Sequence, residues 1–239
     1  MNACHVHWLG QMPYQQAWDL QNRLAEEIGR GQRPPTLLLL EHPHTYTFGR
    51  RGQAANLLWD EAELARRGVS VHWVDRGGDV TYHGPGQLVG YPLLPLGAPL
   101  PVTDSSSPRL PQADYTGYLR RLEESLIQAL AKLGASAQRL QGLTGVWVPA
   151  AQATPPLAKI AAIGVKVDAR GVSRHGFALN VDPQMEYWQG IIACGLAGYA
   201  VTSLAEVLGA SPPMTQVRRA VVRAFGQLFG YRMVKKENF

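Results

Sequence analysis

Several ingredients are scarce in this chain. Its 239 residues include two cysteines, 17% charged and 8% aromatic residues, and the longest run of bulky aliphatic side chains is Leu37 to Leu40. A helical membrane span needs about 20 predominantly apolar residues, so none is expected. Met1 to Gly10 has neither a basic start nor an apolar stretch, so no secretory signal is read there. Two cysteines exclude a disulfide framework, and Cys4 falls in what reads as a frayed N-terminus. A reducing, cytoplasmic setting is expected. The Gly-rich stretch from Arg76 to Gln87 lacks the Gly-Lys-Ser/Thr of a phosphate loop, and Val89 stands where a dinucleotide fingerprint needs its third glycine. Paired carboxylates for glycoside chemistry and a Gly-x-Ser-x-Gly elbow are absent. His5-Val6-His7 and His42-Pro43-His44 lack helical i, i+4 spacing, so no metal, and no cofactor of any kind, is expected.

What is present is ordinary globular material. Apolar residues make up 46%, and the length suits one core or two lobes sharing one, read as a single domain over 1–239. The net charge is +5 and the pI about 9.4, but Lys and Arg are scattered and no basic run alternates with aromatics. That leaves an ordinary basic surface, or one that docks an acidic protein, ahead of nucleic acid.

The spacing of apolar residues predicts helices over Pro13–Gly31, Asp60–Gly68, Asp114–Gly134 and Thr215–Phe229. In the third, Leu119, Leu122, Leu126, Leu130 and Leu133 share a side; in the last, Val217, Val221, Phe225 and Leu228 point inward. Asp60 and Glu63 are spaced as a capping box. Strands are expected at Thr36–Glu41, Val69–Asp75, Val80–His83 and Gln87–Leu94, and a hairpin joins Lys159–Asp168 to Val172–Val181 across Ala169-Arg170-Gly171. The Pro- and Ser-rich stretch 97–112 reads as an exposed loop. Helices and strands are interspersed and many strands are linked by short turns, so the fold class is α/β in the broad sense, with a mixed β-sheet flanked by helices.

Three places can carry chemistry. Cys194, among small apolar residues, has the context of a buried hydrophobe, yet Gly195 follows and offers an approachable backbone N–H for an oxyanion. A thiol of pKa about 8.5 needs an activating partner at neutral pH. Lys159 opens the strand Lys-Ile-Ala-Ala-Ile-Gly-Val-Lys-Val, where the alternative is a solvated strand end and the apolar neighbourhood fits an amine to proton transfer. If that strand is regular, Lys166 lies on its opposite face. In the Gly-rich stretch, Arg76, Thr81, His83 and Gln87 supply hydrogen bonds while glycines admit a ligand, the plainer reading being a tight turn with an incidental histidine.

These residues together resemble the octanoyltransferases of lipoate biosynthesis. Glu41-His42-Pro43 through Gly49-Arg50 is similar to the family's N-terminal motif, and Arg76 to Gln87 to its Arg-Gly-Gly, Thr, aromatic, His, Gly-Pro-Gly-Gln signature. Lys159 to Gly164, His175 to Val181 and Cys194-Gly195-Leu196 complete the likeness, which runs over about residues 5 to 210. The resemblance implies a fold similar to the biotin and lipoate protein ligase catalytic domain. It implies transfer of octanoyl from octanoyl-acyl carrier protein to a lysine of lipoyl domains, those of 2-oxoacid dehydrogenase E2 subunits and of the glycine cleavage H protein. It further implies Cys194 as the thioester-forming nucleophile and Lys159 as the group that lowers its pKa. Substrate contacts would come from Arg76, Gly77, Gly78, Asp79, Val80, Thr81, Tyr82 and His83, from Ala162, Ile163 and Gly164, and from Gly176, Phe177 and Ala178. Two departures stand out: Ala193 where relatives usually carry proline, and the length of the 97–112 loop. The rival readings are an ATP-dependent ligase on the same fold, which ATP consumption would reveal, and a non-catalytic acyl-binding module, which a turnover assay would reveal.

Overall fold

The computed structural model describes residues 1–97, 114–150, 153–193 and 198–236. The expected loop at 97–112 therefore lies, from residue 98 onward, outside the described residues. In chain order the elements are β1 (Ala3–Gln11), α1 (Tyr14–Gly29), β2 (Thr36–Glu41), β3 (Thr45–Phe48), α2 (Glu61–Arg66), β4 (Ser70–Trp73), β5 (Val80–His83) and β6 (Gln87–Leu93). They continue with α3 (Tyr115–Lys132), β7 (Gln138–Leu140), β8 (Leu143–Pro149), β9 (Leu157–Val167), β10 (Ser173–Asn180), β11 (Ala200–Val201), α4 (Leu204–Leu208), α5 (Met214–Phe229) and β12 (Arg232–Lys236).

The main sheet runs β12-β1-β2-β6-β10-β9-β8-β7, with β11 beside β9. It is mixed: β1 is parallel to both neighbours, whereas β2–β6, β6–β10 and β10–β9 are antiparallel. The all-apolar run in β2 follows from burial on both faces. Leu37 and Leu39 enter the core beneath α3 and α5, and Leu38 and Leu40 enter the core beneath α1. Each such buried leucine contributes about 1.5–3 kcal/mol of hydrophobic stabilisation. A second sheet, β4-β3-β5, carries its own cluster around Tyr46, Phe48, Val80 and Tyr82.

Packing shifted some helical faces from the sequence reading. In α3, Tyr118 and Ala129 join Leu122, Leu126 and Leu130 in the core, while Leu119 and Leu133 are only half-buried. In α5, Val217, Val221 and Phe225 are buried and Leu228 is half-buried. The Asp60 carboxylate accepts from the Glu63 N–H at 2.9 Å, but Glu63 turns its own carboxylate to Arg66 and Arg67, so the box is not reciprocal. The frayed N-terminus is corrected outright: Cys4 is fully buried in β1, which pairs with β12 on one side and β2 on the other. Among the described residues no helix is long and apolar enough to cross a membrane.

Candidate active site

The hairpin β9–β10 forms one wall of a cleft by pairing small residues face to face. Gly164 lies opposite Gly176 and Ala162 opposite Ala178, so four positions on one face project almost no side chain. Ile163 and Phe177, offset by one residue, pack into the core beneath α3 and α5 and also border the cleft. Opposite lies the Arg76-Gly77-Gly78 turn. Gly77 N–H donates to Val165 O at 3.0 Å, and Arg50 and Arg51 N–H donate to Arg76 O and Gly78 O at 2.9 and 3.0 Å. That ties the Gly49-Arg50 motif to the turn. A Cβ at Gly164 would sit 3.0 Å from both Arg76 Cδ and Gly77 O, so any side chain here would force the Arg76 turn to give way. Arg76, 7% exposed, donates to Thr47 Oγ1 at 2.8 Å and to Gly77 O at 2.9 Å.

Strand β5 divides its residues between two environments. Thr81 and His83 line the cleft; Val80 and Tyr82 point the other way, into the small-sheet cluster. Of the sequence-proposed contacts, Arg76, Gly77, Gly78, Asp79, Thr81 and His83 thus converge with the β9–β10 wall, and Val80 and Tyr82 do not. Thr81 Oγ1 is buried without a hydrogen-bond partner among the described residues, a polar atom left for a ligand.

The floor contains residues that sequence reasoning did not assign to the cleft: Tyr14, Tyr91 and His175. His175 lay within a quoted motif, but Tyr14 opens a helix and carries no motif signal. His175 adopts a left-handed φ of 56°, rare for a non-glycine residue. Its N–H donates to Gln21 Oε1 at 2.7 Å, and its Nε2 lies 2.8 Å from Asp75 Oδ1. Burial opposes ionisation of Asp75, but the His175 hydrogen bond and the Arg174 guanidinium outweigh it and hold the carboxyl well below its usual range. Burial likewise depresses His83, aided by His42 and Arg76, and raises the Tyr14 phenol. Burial also lowers His175, against the pull of Asp75, and raises Tyr91, so it favours neutral imidazole and neutral phenol around the cleft.

Lys159 is not a solvated strand end. It is the third residue of β9, 6% exposed, with its ammonium 4.8 Å from the centroid of the Trp147 ring. Parity along β9 cannot be counted through to Lys166. Ala161 pairs with Val146 but Lys159 with Trp147, so two residues of β9 step against one of β8, a bulge of the kind that re-aims a side chain. Gly145 makes room: a Cβ there would lie 3.4 Å from Lys159 Cε and 2.8 Å from Ala161 O. Cys194 itself lies outside the described residues. Its flanks do not. Ile192 N–H donates to Asn56 O at 2.9 Å, and the Asn56 amide donates to the carboxylate of the cleft residue Asp79. Beyond it, Val201 pairs with Lys159, and Thr202 N–H donates to Lys159 O at 3.0 Å. The chain thus departs from the cleft rim and returns at Lys159.

Comparison with known proteins matches this architecture at two levels. Residues 13–226 fit the family described as lipoyl protein ligase A/B catalytic domain. The bi-partite lipoate protein ligase of Thermoplasma acidophilum superposes with a TM-score of 0.75 at 17% identity, covering 100% of this chain and 88% of that one, a likeness of fold. The octanoyltransferase of Chloroflexus aurantiacus is 46% identical over 96% of this chain and 95% of its own length. That of Rubrobacter xylanophilus is 43% identical over 92% and 91%. Within the lipoyl ligase A/B class, the chain belongs to the octanoyltransferase family.

Proposed function

We propose that the chain transfers an octanoyl group from acyl carrier protein to a lysine of lipoyl domains, including those of E2 subunits and H protein, through a thioester on Cys194. The full-length likeness to octanoyltransferases carries the reaction. The residue roles rest on Lys159, buried on the Trp147 ring at the strand position to which the chain returns after Cys194.

In this reading the Cys194 thiolate, facing the Lys159 ammonium, attacks the carrier thioester. The new C–S bond forms as the old one breaks, and the departing carrier thiolate takes a proton from Lys159. The acceptor lysine amine then attacks the acyl-enzyme, neutral Lys159 takes the amine proton, and the thiolate leaves again. One thioester is exchanged for another, then for a more stable amide, so no step requires ATP. The paired Gly164/Gly176 and Ala162/Ala178 give an alkyl chain a smooth wall, and Arg76, Thr81 and His83 lie across from it. Residues 1–239 act as one catalytic unit, and a cytoplasmic site of action fits the need for a free thiol.

Incubation with octanoyl-loaded carrier protein, followed by intact-mass measurement, tests the reading. Wild type should gain one octanoyl group and Cys194→Ala none. Octanoylation of a lipoyl domain from free octanoate and ATP, without the carrier, would replace this reading with the ligase one.

A further inference from the structure

Lys and Arg are spread along the chain, but one stretch lacks the acidic residues that balance them elsewhere. The 30 residues from Val207 to Lys236 contain six of its 23 Lys and Arg side chains and no acidic one, whereas the other 209 residues contain 17 against 18 acidic. This stretch, which includes α5 and β12, thus carries +6 and the rest of the chain −1.

That segment builds a groove against β1. Val6, Trp8, Leu39, Val222 and Met233 give it an apolar floor, and Arg218, Arg219, Arg223 and Lys235 surround it, with no acidic side chain in the lining among the described residues. The groove has a cavity volume of about 550 Å³, within the roughly 300–1,000 Å³ typical of small-molecule sites. Arg218 is its focal point. The guanidinium carbon stacks 3.9 Å above the Trp8 ring centroid, and Nε is shielded from solvent with no hydrogen-bond partner among the described residues. Burial, with Arg219 adding to it and the Glu41 carboxylate opposing it only in part, holds its pKa below the ordinary arginine value, a cost that a bound anion would relieve further.

We propose that this groove binds a free medium-chain carboxylate, its alkyl chain on Trp8 and the neighbouring apolar side chains and its carboxylate on Arg218 within the ring of cations. A slim anionic head reaches a guanidinium below the rim and accepts bidentate hydrogen bonds there. An acidic protein surface would satisfy the rim cations but leave the concave floor uncovered. The site is separate from the cleft: Val6 and Leu39 belong to the core beneath α3 and α5, whereas the cleft residues Tyr91 and Ala178 belong to the core beneath α1. The two sites thus use opposite faces of the sheet, and this assignment does not depend on the acyl-transfer reading.

Photolabelling of the full-length protein with decanoic acid bearing a diazirine on its chain, followed by peptide mapping, tests it. Saturable labelling is expected on peptides containing Trp8 and residues 215–233. Arg218→Gln should weaken that labelling roughly tenfold or more, while labelling of the cleft persists. Because Arg218 also packs on Trp8, the exposed double reversal Arg219→Glu/Arg223→Glu provides a second arm with the floor intact, and it should weaken labelling in the same direction. The assignment is overturned if labels appear only in the cleft, or if the equivalent diazirine alcohol labels the groove as strongly as the acid. It is equally overturned if the charge-reversed protein labels like wild type, or if poly-glutamate occupies the groove while decanoate fails to saturate it.

Discussion

Lys159 and Trp147 are direct cross-strand partners, and the lysine ammonium lies 4.8 Å from the centroid of the Trp147 ring. A π face attracts a cation, and in the proposed mechanism the same ammonium faces the Cys194 thiolate.

Lys159→Met retains the stem and removes the charge. It should raise the pH midpoint for Cys194 alkylation by iodoacetamide and slow acyl-enzyme formation at neutral pH, with partial recovery as pH rises. Aminolysis has its own need for a base, so the acyl-enzyme should accumulate once formed. Lys159→Arg keeps the charge but cannot release the proton, so alkylation should survive better than turnover. An unchanged alkylation profile in Lys159→Met would remove the pairing with Cys194 and turn attention to His175.

Gly145 supports that geometry from the neighbouring strand. Its φ of +130° lies where L side chains are strained, and its N–H donates to the buried Glu123 carboxylate at 3.0 Å. Gly145→Ala should cost about 1–3 kcal/mol of stability from backbone strain. A Cβ directed at Lys159 Cε should also lower turnover more than it raises KM. Thermal melting and steady-state kinetics on the same preparation separate the two effects. Full turnover in a destabilised variant would mean that Gly145 serves the fold alone.

The two cysteines should differ sharply in reactivity. Cys4 is fully buried between β12 and β2, and burial pushes its thiol up to about 12. Native protein at pH 8 should therefore take up a single iodoacetamide adduct by intact mass, and Cys194→Ala none. Denatured protein should take two. Cys4→Ala should leave turnover unchanged and lower stability by about 1 kcal/mol, the loss expected from emptying a small core position. Two rapid adducts on the native protein would contradict the placement of Cys4.

How far these features were legible in the sequence depended on where side chains face. Strands with one uniform environment read directly: Leu37 to Leu40 gave β2, and the hairpin across Ala169-Arg170-Gly171 is present as β9 and β10. Edge strands divided: β4 and β5, at the two edges of the small sheet, fall where strands were expected, whereas β12, at an edge of the main sheet, and its neighbour β1 were not anticipated. β12, Arg-Met-Val-Lys-Lys, reads as a polar tail because its pattern follows solvent, and β1 carries histidines that mask its alternation. The motif blocks located the cleft, but no motif separates Thr81 and His83 from Val80 and Tyr82, since that depends on which sheet face the cleft occupies. The bulge that re-aims Lys159 is likewise a property of pairing with β8, invisible along β9 alone.

Acid stability offers the last test, centred on His42. Its Nδ1 lies 2.7 Å from Met12 O, which can only accept, so Nδ1 carries the proton. Nε2, 2.7 Å from the Tyr91 hydroxyl, then accepts from Tyr91. Protonating Nε2 would set two donors against each other inside the core. Burial lowers the His42 pKa from 6.5 to about 4, with the Met12 hydrogen bond opposing the shift only in part. The folded state therefore binds fewer protons than the unfolded chain between these values. Stability is fully present above pH 6.5 and is lost as pH falls toward 4, with the shift corresponding to about 3 kcal/mol. His83 and His175 are depressed in the same direction and steepen the loss, whereas the depressed carboxyl of Asp75 acts only below its own unfolded value near 4. His42→Gln can donate to Met12 O and accept from Tyr91 without titrating. Urea unfolding at a series of pH values should show it about 1 kcal/mol less stable than wild type at pH 7.5, from imperfect replacement of the hydrogen bonds. Its decline from pH 7 to 5 should be visibly shallower. Parallel declines in the two proteins would show that His42 titrates no differently folded than unfolded.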